Sequence, residues 1–322
     1  MKAGENSSRA SGATLDKMPS IRTGSLKYQK KREVITAWLF SAPSLMLLVF
    51  FLIVPFIMAF VFSLTDQRLI PNPNLPTEFI GLRNYLRLLA DDTFYRAILN
   101  NFLFAIVVVP VQTAFALLLA IAVNQKLKAV KLFRTIYFSP VVITMVVVAV
   151  VWSNLFNPGQ GFINQFLKFI SFGRIQPLGW LTDPSYAFPA IMLLSVWQGV
   201  GFQMIIFLAG LQDIPAELYE AARVDGASRN QQFWSVTLPQ LKNTTIFVVL
   251  TTTILAFKLF TQVWVLTKGG PQNSTMTTIV LLYRQGFRQL RVGYASTIAI
   301  VFFLIVLVIS ILQRIFLKEE RR

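Results

Sequence analysis

Long apolar runs alternate with shorter polar segments along this chain of 322 residues. A helix that crosses the hydrocarbon core of a bilayer needs about 20 residues, and six of the runs reach that length. They cover about 36–64, 98–123, 134–155, 186–209, 243–266 and 293–314. The pattern therefore predicts an all-α, polytopic membrane protein with about six transmembrane helices in one domain, 36–316.

Polar segments flank and connect the predicted spans. Residues 1–35 are rich in Ser, Gly, Lys and Arg and do not resemble a signal peptide, so we expect a disordered basic tail before an uncleaved first span. Residues 317–322 form a basic C-terminus. After the first span, apolar residues at 82, 85, 86 and 89 share one helical face. This spacing predicts an interfacial helix on the membrane or, equally, a loop helix packed on the bundle.

Composition narrows the chemistry that this chain can perform. Hydrophobic residues make up 55% and charged residues 14%, whereas about a quarter of a soluble domain is charged. Cys and His are absent, which excludes disulfides, thiolate and imidazole catalysis and the usual zinc ligands. The phosphate-binding pattern Gly-x-x-x-x-Gly-Lys-Ser/Thr is also absent. We therefore expect no catalytic residue, metal site or cofactor on this chain.

The net charge of +16 is divided unevenly between the two sides of the predicted topology. Nineteen Lys and Arg residues fall in the N-terminal tail, the second and third inside loops and the C-terminus, against ten on the other side. An excess of Lys and Arg marks cytoplasmic loops, so both termini are expected in the cytoplasm. The basic charge is thus interpreted as a topology signal, and no nucleic-acid partner is expected.

A polar, charged segment separates the fourth and fifth predicted spans. Pro215 suits a first helical position, and Glu220 would lie in that helix near its positive end. Gly226 is a natural stop, because a left-handed conformation costs Gly nothing. Ser228–Gln231 is a capping-box pattern for a second short helix, which Pro239 would end while serving in the first turn of span five. Two short helices are therefore predicted, and they fit a solvated hairpin as well as a docking surface for a cytoplasmic partner.

The spacing within this segment is specific. It reads Glu-Ala-Ala, three residues, Gly, nine residues, an aliphatic residue, one residue and Leu-Pro, which resembles the signature loop of membrane subunits of binding-protein-dependent ABC importers. The matching positions are Glu220, Ala221, Ala222, Gly226, Val236, Leu238 and Pro239. The family more often has Ile at the position of Val236. Further segments resemble the sugar-importer branch, related to maltose and glycerol-phosphate permeases: 81–85, 133–140, 266–271 and 293–296.

The resemblance covers nearly the whole chain from about Trp38 and implies a type I ABC importer permease fold. In such importers the signature loop, here about 210–242, is a coupling helix that docks on an ATP-binding cassette ATPase dimer. The coupling residues implied are Glu220, Ala221, Ala222, Asp225, Gly226, Leu238 and Pro239. ATP and Mg would bind the ATPase chains. A second permease, usually different, would complete the pore, and an extracytoplasmic solute-binding protein would deliver a sugar or oligosaccharide across a prokaryotic plasma (inner) membrane.

Polar residues inside the spans mark a candidate solute path, because a polar side chain that faces lipid is costly. Lys258 lies about 12 Å from the end of span five at about 1.5 Å per residue. Thr251, Lys258 and Gln262 fall on one face of a regular helix. Phe257 and Trp264 lie near that face, and rings beside hydrogen-bonding groups suit a sugar. Span four offers a weaker candidate of the same kind, Trp197 with Gln198.

Other interpretations remain open from the residues. Lys258 would equally hold the bundle by pairing with a carbonyl or carboxylate of another helix. A stand-alone secondary transporter or channel is the alternative function, but the predicted spans contain no Asp or Glu for proton coupling. A third hypothesis is a membrane scaffold whose loop recruits a cytoplasmic partner.

Overall fold

Helices form the regular structure of residues 23–70, 76–125 and 130–316, which are the residues that the computed structural model describes. Within these ranges one isolated bridge pairs Thr65 with Phe79. The fold is therefore all-α over the described chain, which confirms the predicted class.

The first helical stretch is α1 (Thr23–Leu48), which continues through a π-helical turn (Val49–Ile53) into α2 (Val54–Ser63). It begins inside the predicted disordered tail, so that prediction is wrong for residues 23–35, while residues 1–22 and 317–322 lie outside the described ranges. From 25 to 42 the chain has no Gly or Pro and carries several good helix formers, which explains the early start. The described residues up to Met58 form a compact unit of their own.

The second compact unit begins at Ala59 and contains the remaining helices. In chain order they are α3 (Arg83–Leu89), α4 (Asp92–Asn124), α5 (Val130–Val142), α6 (Met145–Leu155), α7 (Phe162–Ile170), α8 (Pro184–Gln212), α9 (Ala216–Val224), α10 (Arg229–Gln232), α11 (Leu238–Gln240), α12 (Lys242–Phe257), α13 (Thr261–Leu266), α14 (Thr278–Tyr283) and α15 (Val292–Phe316). Two π-helical segments, Phe233–Thr237 and Arg284–Arg288, extend α10 and α14.

Five helical stretches in the described chain are long and apolar enough to cross a membrane. They are Lys30–Ser63, Asp92–Asn124, Pro184–Gln212, Lys242–Leu266 and Val292–Phe316. The pair α5 and α6 makes a sixth crossing if it is counted as one span, although its two helices are bent by 99°. About six spans are thus confirmed, with boundaries within a few residues of those predicted except for 36–64 and 98–123, whose helical stretches begin earlier, at Lys30 and Asp92.

The third span was predicted as one helix over 134–155, and the bend corrects that prediction. Pro140 lies inside α5 and cannot donate a backbone hydrogen bond. Thr144 is extended, with φ −61° and ψ 139°, and its carbonyl accepts from Val148 at the start of α6. The chain therefore stops and restarts its helix between Val142 and Met145.

α8 is the central helix of the second unit, and three of its glycines lie against three different helices. A side chain at Gly199 would meet the amide of Gln112 on α4, and one at Gly201 would meet the backbone carbonyl of Tyr137 on α5. A side chain at Gly210 would meet Thr244 on α12. Close packing of α8 thus depends on these positions having no side chain, and at Gly201 the contact is with the backbone of the neighbouring helix.

Two clusters of buried apolar side chains hold this unit together. One joins the first halves of α4 and α8 to α12, α13, α14 and α15, and its fully buried members include Ala97, Ile191, Val263, Met276 and Ile298. The other joins the second half of α4 and of α8 to the loop before α12. Its fully buried members include Ala116, Ala120, Met204, Phe207, Leu241 and Val248.

Candidate functional site

The polar loop between α8 and α12 folds as two helical arms. The first arm, α9, begins at Ala216, one residue later than predicted, because Pro215 lies at the N-cap position and not at the first helical position. Glu217 lies in its first turn, where a carboxylate favours the positive end of the helix. The predicted short helix is therefore confirmed with a shift of one residue.

α9 ends in a Schellman motif. Gly226 is left-handed, with φ +81°, as predicted. The backbone N–H of Ala227 donates to the carbonyl of Ala222 at 2.8 Å, and the N–H of Gly226 donates to the carbonyl of Arg223 at 3.0 Å. These two bonds satisfy carbonyls that a helix end leaves open. No atom lies within 4 Å of the place where a side chain of Gly226 would begin, so backbone conformation alone requires Gly here.

The second arm begins with the predicted capping box. The backbone N–H of Gln231 donates to Ser228 Oγ at 3.4 Å, and the N–H of Ser228 donates to Gln231 Oε1 at 2.7 Å. Helical structure then continues through the π-helical segment into α11, so this arm is longer than predicted. Pro239 does not end it, because the proline falls in the first turn of α11, where its missing N–H is tolerated.

The loop has a buried face and an exposed face. Tyr219 and Ala222 of α9 pack against the cluster that also contains α4 and α8. The Tyr219 hydroxyl lies 2.9 Å from Thr237 Oγ1, and Val236 is buried in the same cluster. The first arm is thereby fixed to the second, and both are fixed to the spans.

The exposed face carries most of the predicted coupling residues. Glu220, Ala221, Asp225, Gly226 and Pro239 are exposed, whereas Ala222 and Leu238 are half-buried. Val224 is 88% exposed at the tip of α9, which is unusual for an aliphatic residue unless another surface covers it. A 3.7 Å ion pair joins Glu220 to Arg223, and its exposure makes its contribution to stability small.

Sequence reasoning missed the residues that anchor the loop, Tyr219 and Thr237. Tyr219 lies three positions before Ala222, so the two share one helical face, and this spacing was the available signal. Thr237 lies inside the matched signature spacing at a position that the signature leaves free.

Span five is broken at the residue predicted to line the solute path. α12 ends at Phe257, and Lys258 and Phe260 leave the helical conformation before α13 begins. Lys258 is exposed, so the break presents its side chain outside the core. The prediction that Thr251, Lys258 and Gln262 share one helical face is wrong, because that face requires an uninterrupted helix.

The other path residues of this span are separated from one another. Phe257 is 2% exposed and packs edge-on against Phe102, so it is a core residue in this structure. The Thr251 hydroxyl donates to the carbonyl of Phe247 in its own helix at 2.8 Å. Gln262 Nε2 donates to Ser195 Oγ at 3.2 Å and joins α13 to α8.

Side chains from neighbouring elements satisfy the carbonyls freed by the break. Asn101 Nδ2 donates to the carbonyl of Phe257 at 3.2 Å, and Thr277 Oγ1 donates to that of Leu259 at 2.9 Å. Asn101 Oδ1 accepts from the N–H and the hydroxyl of Thr278, both at 2.9 Å. Inside a bilayer such backbone groups need protein partners, so the break is a stable feature of the fold. Sequence reasoning did not single out Asn101, although Asn in an apolar run was a signal.

Trp264 belongs to an aromatic cluster with Phe260, Tyr283 and Phe287. Its ring stacks on Phe260 at 6.1 Å and meets Tyr283 edge-on at 4.6 Å between centroids. Tyr283 stacks on Phe287 at 5.2 Å, and the guanidinium of Arg288 lies 5.7 Å from the centre of the Trp264 ring. The cluster offers apolar ring faces next to cationic hydrogen-bond donors.

The span-four candidates lie on α8. Trp197 is 42% exposed and packs on Trp152 at 5.4 Å between ring centroids, and Gln198 beside it is half-buried. They lie two and three positions after Ser195, to which Gln262 of span five donates. A nearby buried amide, Gln203, donates to Thr252 and links α8 to α12.

Metal ligation is not supported by the described residues. Within 23–70, 76–125 and 130–316, no group of three or more His, Cys, Asp or Glu side chains could hold an ion.

The fold and the loop define a multi-pass membrane subunit with a protruding two-armed loop. Residues 88–322 match the model of the family described as binding-protein-dependent transport system inner membrane component. The chain belongs to this family, which confirms the predicted resemblance. It is a permease subunit of an ABC importer, a transport protein in a system whose ATPase is a separate subunit.

Related proteins match over almost their entire length. The probable ABC transporter permease protein YurN of Bacillus subtilis is 37% identical, covering 89% of this chain and 97% of YurN. The lactose transport system permease protein LacF of Rhizobium radiobacter is 35% identical, covering 94% and 100%. The trehalose/maltose transport system permease protein MalF of Thermococcus litoralis is 36% identical, covering 94% and 99%.

Solved structures share the fold. A chain of a bacterial ABC transporter involved in the import of the acidic polysaccharide alginate superposes with a TM-score of 0.78 at 24% identity, covering 91% of this chain and 100% of that one. A bacterial alginate ABC transporter in complex with an alginate pentasaccharide-bound periplasmic protein gives the same TM-score. These similarities confirm the importer permease fold.

Proposed function

We propose that this chain forms half of the pore of a saccharide importer and passes movement from an ATPase dimer to its spans through α9. One observation carries the proposal: α9 exposes Glu220, Ala221 and Val224 while Tyr219 and Ala222 fix it to the core of α4 and α8. An ATPase surface that holds the exposed face and moves would therefore displace the spans with it. ATP and Mg would be bound by the ATPase chains and not by this one.

The proposed solute is a sugar or oligosaccharide. LacF and MalF belong to lactose and trehalose/maltose transport systems, and this chain presents the half-buried rings of Trp264 and Tyr283, with the Arg288 guanidinium over the Trp264 ring. A sugar has apolar ring faces and a hydroxylated edge, so stacked aromatic rings with adjacent donors suit it. The alternative, a stand-alone secondary transporter or channel, has no observation in its favour.

The proposed assembly has a second, different permease subunit and an extracytoplasmic solute-binding protein. The distribution of Lys and Arg supports a prokaryotic plasma membrane topology with both termini in the cytoplasm, because α9 then lies on the cytoplasmic side, where an ATPase would meet it.

The coupling role is tested by Glu220→Lys and Gly226→Val in the complete importer reconstituted in liposomes. Glu220→Lys reverses a charge on the docking face, and Gly226→Val makes the Schellman ending unfavourable by about 1–2 kcal/mol. Both variants should assemble normally, but labelled-sugar uptake per ATP hydrolysed should fall at least severalfold. Glu78→Lys is the matched control, since Glu78 is exposed outside the loop.

Two outcomes would overturn the proposal. Unchanged uptake per ATP in both loop variants would show that α9 does not couple ATP hydrolysis to transport. Sugar uptake by the purified chain alone, without any ATPase subunit, would establish the secondary-transporter alternative instead.

A further inference from the structure

A basic cavity of about 710 Å³ is lined by residues from 66–70, 84–87 and 289–294. Its walls are the segment that follows α2, the helix α3, and the segment that leads into α15. Along the chain, the spans α4, α5–α6 and α8 lie between the segment that contains α3 and the loop that contains α9. With α5–α6 counted as one crossing, three crossings place the cavity on the opposite face of the membrane from α9.

The cavity walls are built by specific hydrogen bonds. The N–H of Leu69 donates to the carbonyl of Leu290, and the N–H of Gly293 donates to that of Gln67, both at 2.9 Å. Asn84 is buried and donates both amide hydrogens, to the carbonyls of Ser63 at 3.0 Å and Thr65 at 2.9 Å. The cavity is thus a fixed part of the fold, held between elements more than 200 residues apart in the chain.

Three arginines, Arg68, Arg87 and Arg291, line the cavity, and Asp66 is the acidic residue among its lining. Among the described residues, the ion pair within 4.0 Å joins Glu220 to Arg223. The three cavity arginines are therefore not held in an ion pair within that part of the chain and can bind an anion. Another nearby acid, Asp91, accepts a 2.6 Å hydrogen bond from the Tyr294 hydroxyl. The guanidinium of Arg87 lies over the Tyr294 ring at 4.6 Å, which directs it into the cavity wall.

An apolar face adjoins the cavity on α3. Leu82, Leu86 and Leu89 are each 65–67% exposed on one side of this helix, which also carries Arg87. Large apolar side chains exposed together on a short helix at the level where spans begin and end are typical of a helix in the interfacial layer. The cavity therefore lies where lipid headgroups lie, and its apolar neighbour lies where acyl chains begin.

We propose that this cavity binds the headgroup of an anionic phospholipid. The lipid phosphate would accept hydrogen bonds from Arg87, Arg291 and Arg68, since a planar guanidinium fits phosphate oxygens in a bidentate manner. The exposed leucines of α3 would lie against the acyl chains of the same lipid. An acidic surface of a soluble protein would pair with the arginines but would leave these leucines uncovered, which favours the lipid.

The test is lipid retention by the full-length chain within its purified complex, measured by native mass spectrometry in a neutral detergent. Phosphatidylglycerol and phosphatidylcholine of the same acyl length are added in turn, with free glycerol phosphate as a soluble competitor. Wild type should retain phosphatidylglycerol in preference to phosphatidylcholine. Each of Arg87→Gln and Arg291→Gln should weaken that retention about fivefold, as expected for loss of one cation near a charged lipid.

Two comparisons keep the result specific. Arg174→Gln removes an exposed arginine from the segment between α7 and α8, outside the cavity, and should leave retention unchanged. Leu86→Gln, on the exposed face of α3, should weaken phosphatidylglycerol retention without removing a charge. Monodisperse gel filtration of each variant distinguishes loss of the lipid from loss of the fold.

Three results would overturn the proposal. Equal retention of the two lipids by wild type would remove the anionic preference. Displacement of the lipid by millimolar glycerol phosphate would make the site one for a soluble phosphate. Normal phosphatidylglycerol retention by Arg87→Gln and Arg291→Gln, with weakened stimulation by the solute-binding protein, would assign the arginines to protein docking.

Discussion

The hydroxyl groups of Tyr219 and Thr237 lie 2.9 Å apart and join the two arms of the loop between α8 and α12. Thr237 is buried, and its neighbour Val236 belongs to the apolar cluster shared by α4 and α8. The exposed tip of α9 is thus connected to two spans through a hydrogen bond and a packed side chain. This arrangement gives the loop the rigidity that transmission of movement requires.

Removal of that hydrogen bond should weaken coupling without unfolding the protein. Tyr219→Phe keeps the ring against the core and deletes only the hydroxyl, at a cost of about 0.5–1.5 kcal/mol. We expect a lower ratio of solute transported to ATP hydrolysed, measured by parallel uptake and hydrolysis assays in liposomes. Tyr186→Phe removes a hydroxyl near the start of α8 and should behave as wild type. An unchanged ratio in Tyr219→Phe would show that the arms are joined well enough by packing alone.

Local features of the loop were predictable, and its attachment to the spans was not. The capping box at Ser228 and the left-handed Gly226 depend on residues within a few positions of each other, so the sequence contains the whole motif. The contact between Tyr219 and Thr237 joins residues 18 positions apart and exists only after both arms have packed on α4 and α8.

Asn101 should be essential for the stability of the break in span five. Asn101→Leu leaves the carbonyl of Phe257 and the N–H of Thr278 buried without this partner, at about 1–3 kcal/mol for each group. We therefore expect a loss of about 2–6 kcal/mol and a lower midpoint of thermal unfolding in detergent. Asn154→Leu, at an exposed position on α6, is the control and should shift the midpoint little. Equal midpoints for the two variants would contradict this role.

The break itself gave no local signal in the sequence. Residues 256–262 contain no Gly or Pro, and the polar residues Lys258, Thr261 and Gln262 do not by themselves stop a helix. The helix stops there because Asn101 and Thr277, from elements remote in sequence, donate hydrogen bonds to the carbonyls that the break leaves open. The bend in span three is different, since Pro140 was visible and its effect was underestimated.

Gly201 should tolerate no side chain. A methyl group there would meet the backbone carbonyl of Tyr137, which cannot turn aside as a side chain can. Gly201→Ala should force α5 from α8 and cost about 1–3 kcal/mol, with reduced recovery of folded protein. Gly159→Ala, at an exposed turn with only ordinary contact at 3.6 Å, should be recovered as wild type. Normal stability of Gly201→Ala would show that α5 and α8 can move apart at little cost in free energy.

Lys258 offers a direct test of the solute path. Lys258→Met keeps the length of the side chain and removes its charge and its donors at the break. If the ammonium group contacts the solute, uptake at low solute concentration should fall about two- to tenfold, as expected for one hydrogen bond of about 0.5–1.5 kcal/mol. Uptake curves for the intact complex measure this change. If Lys258→Met takes up solute as well as wild type does, Lys258 has only a structural role.

Gly201 of α8 has a mechanical consequence. Where helices touch through backbone atoms, as α8 touches Tyr137 of α5 at this position, their separation is set by fixed covalent geometry and does not adjust through side-chain rotamers. α8 should therefore tilt together with the adjoining part of α5, as a single stiff body. The flexibility that is needed to open a passage then lies at the chain breaks at Thr144 and Lys258, where no regular helix holds the backbone straight.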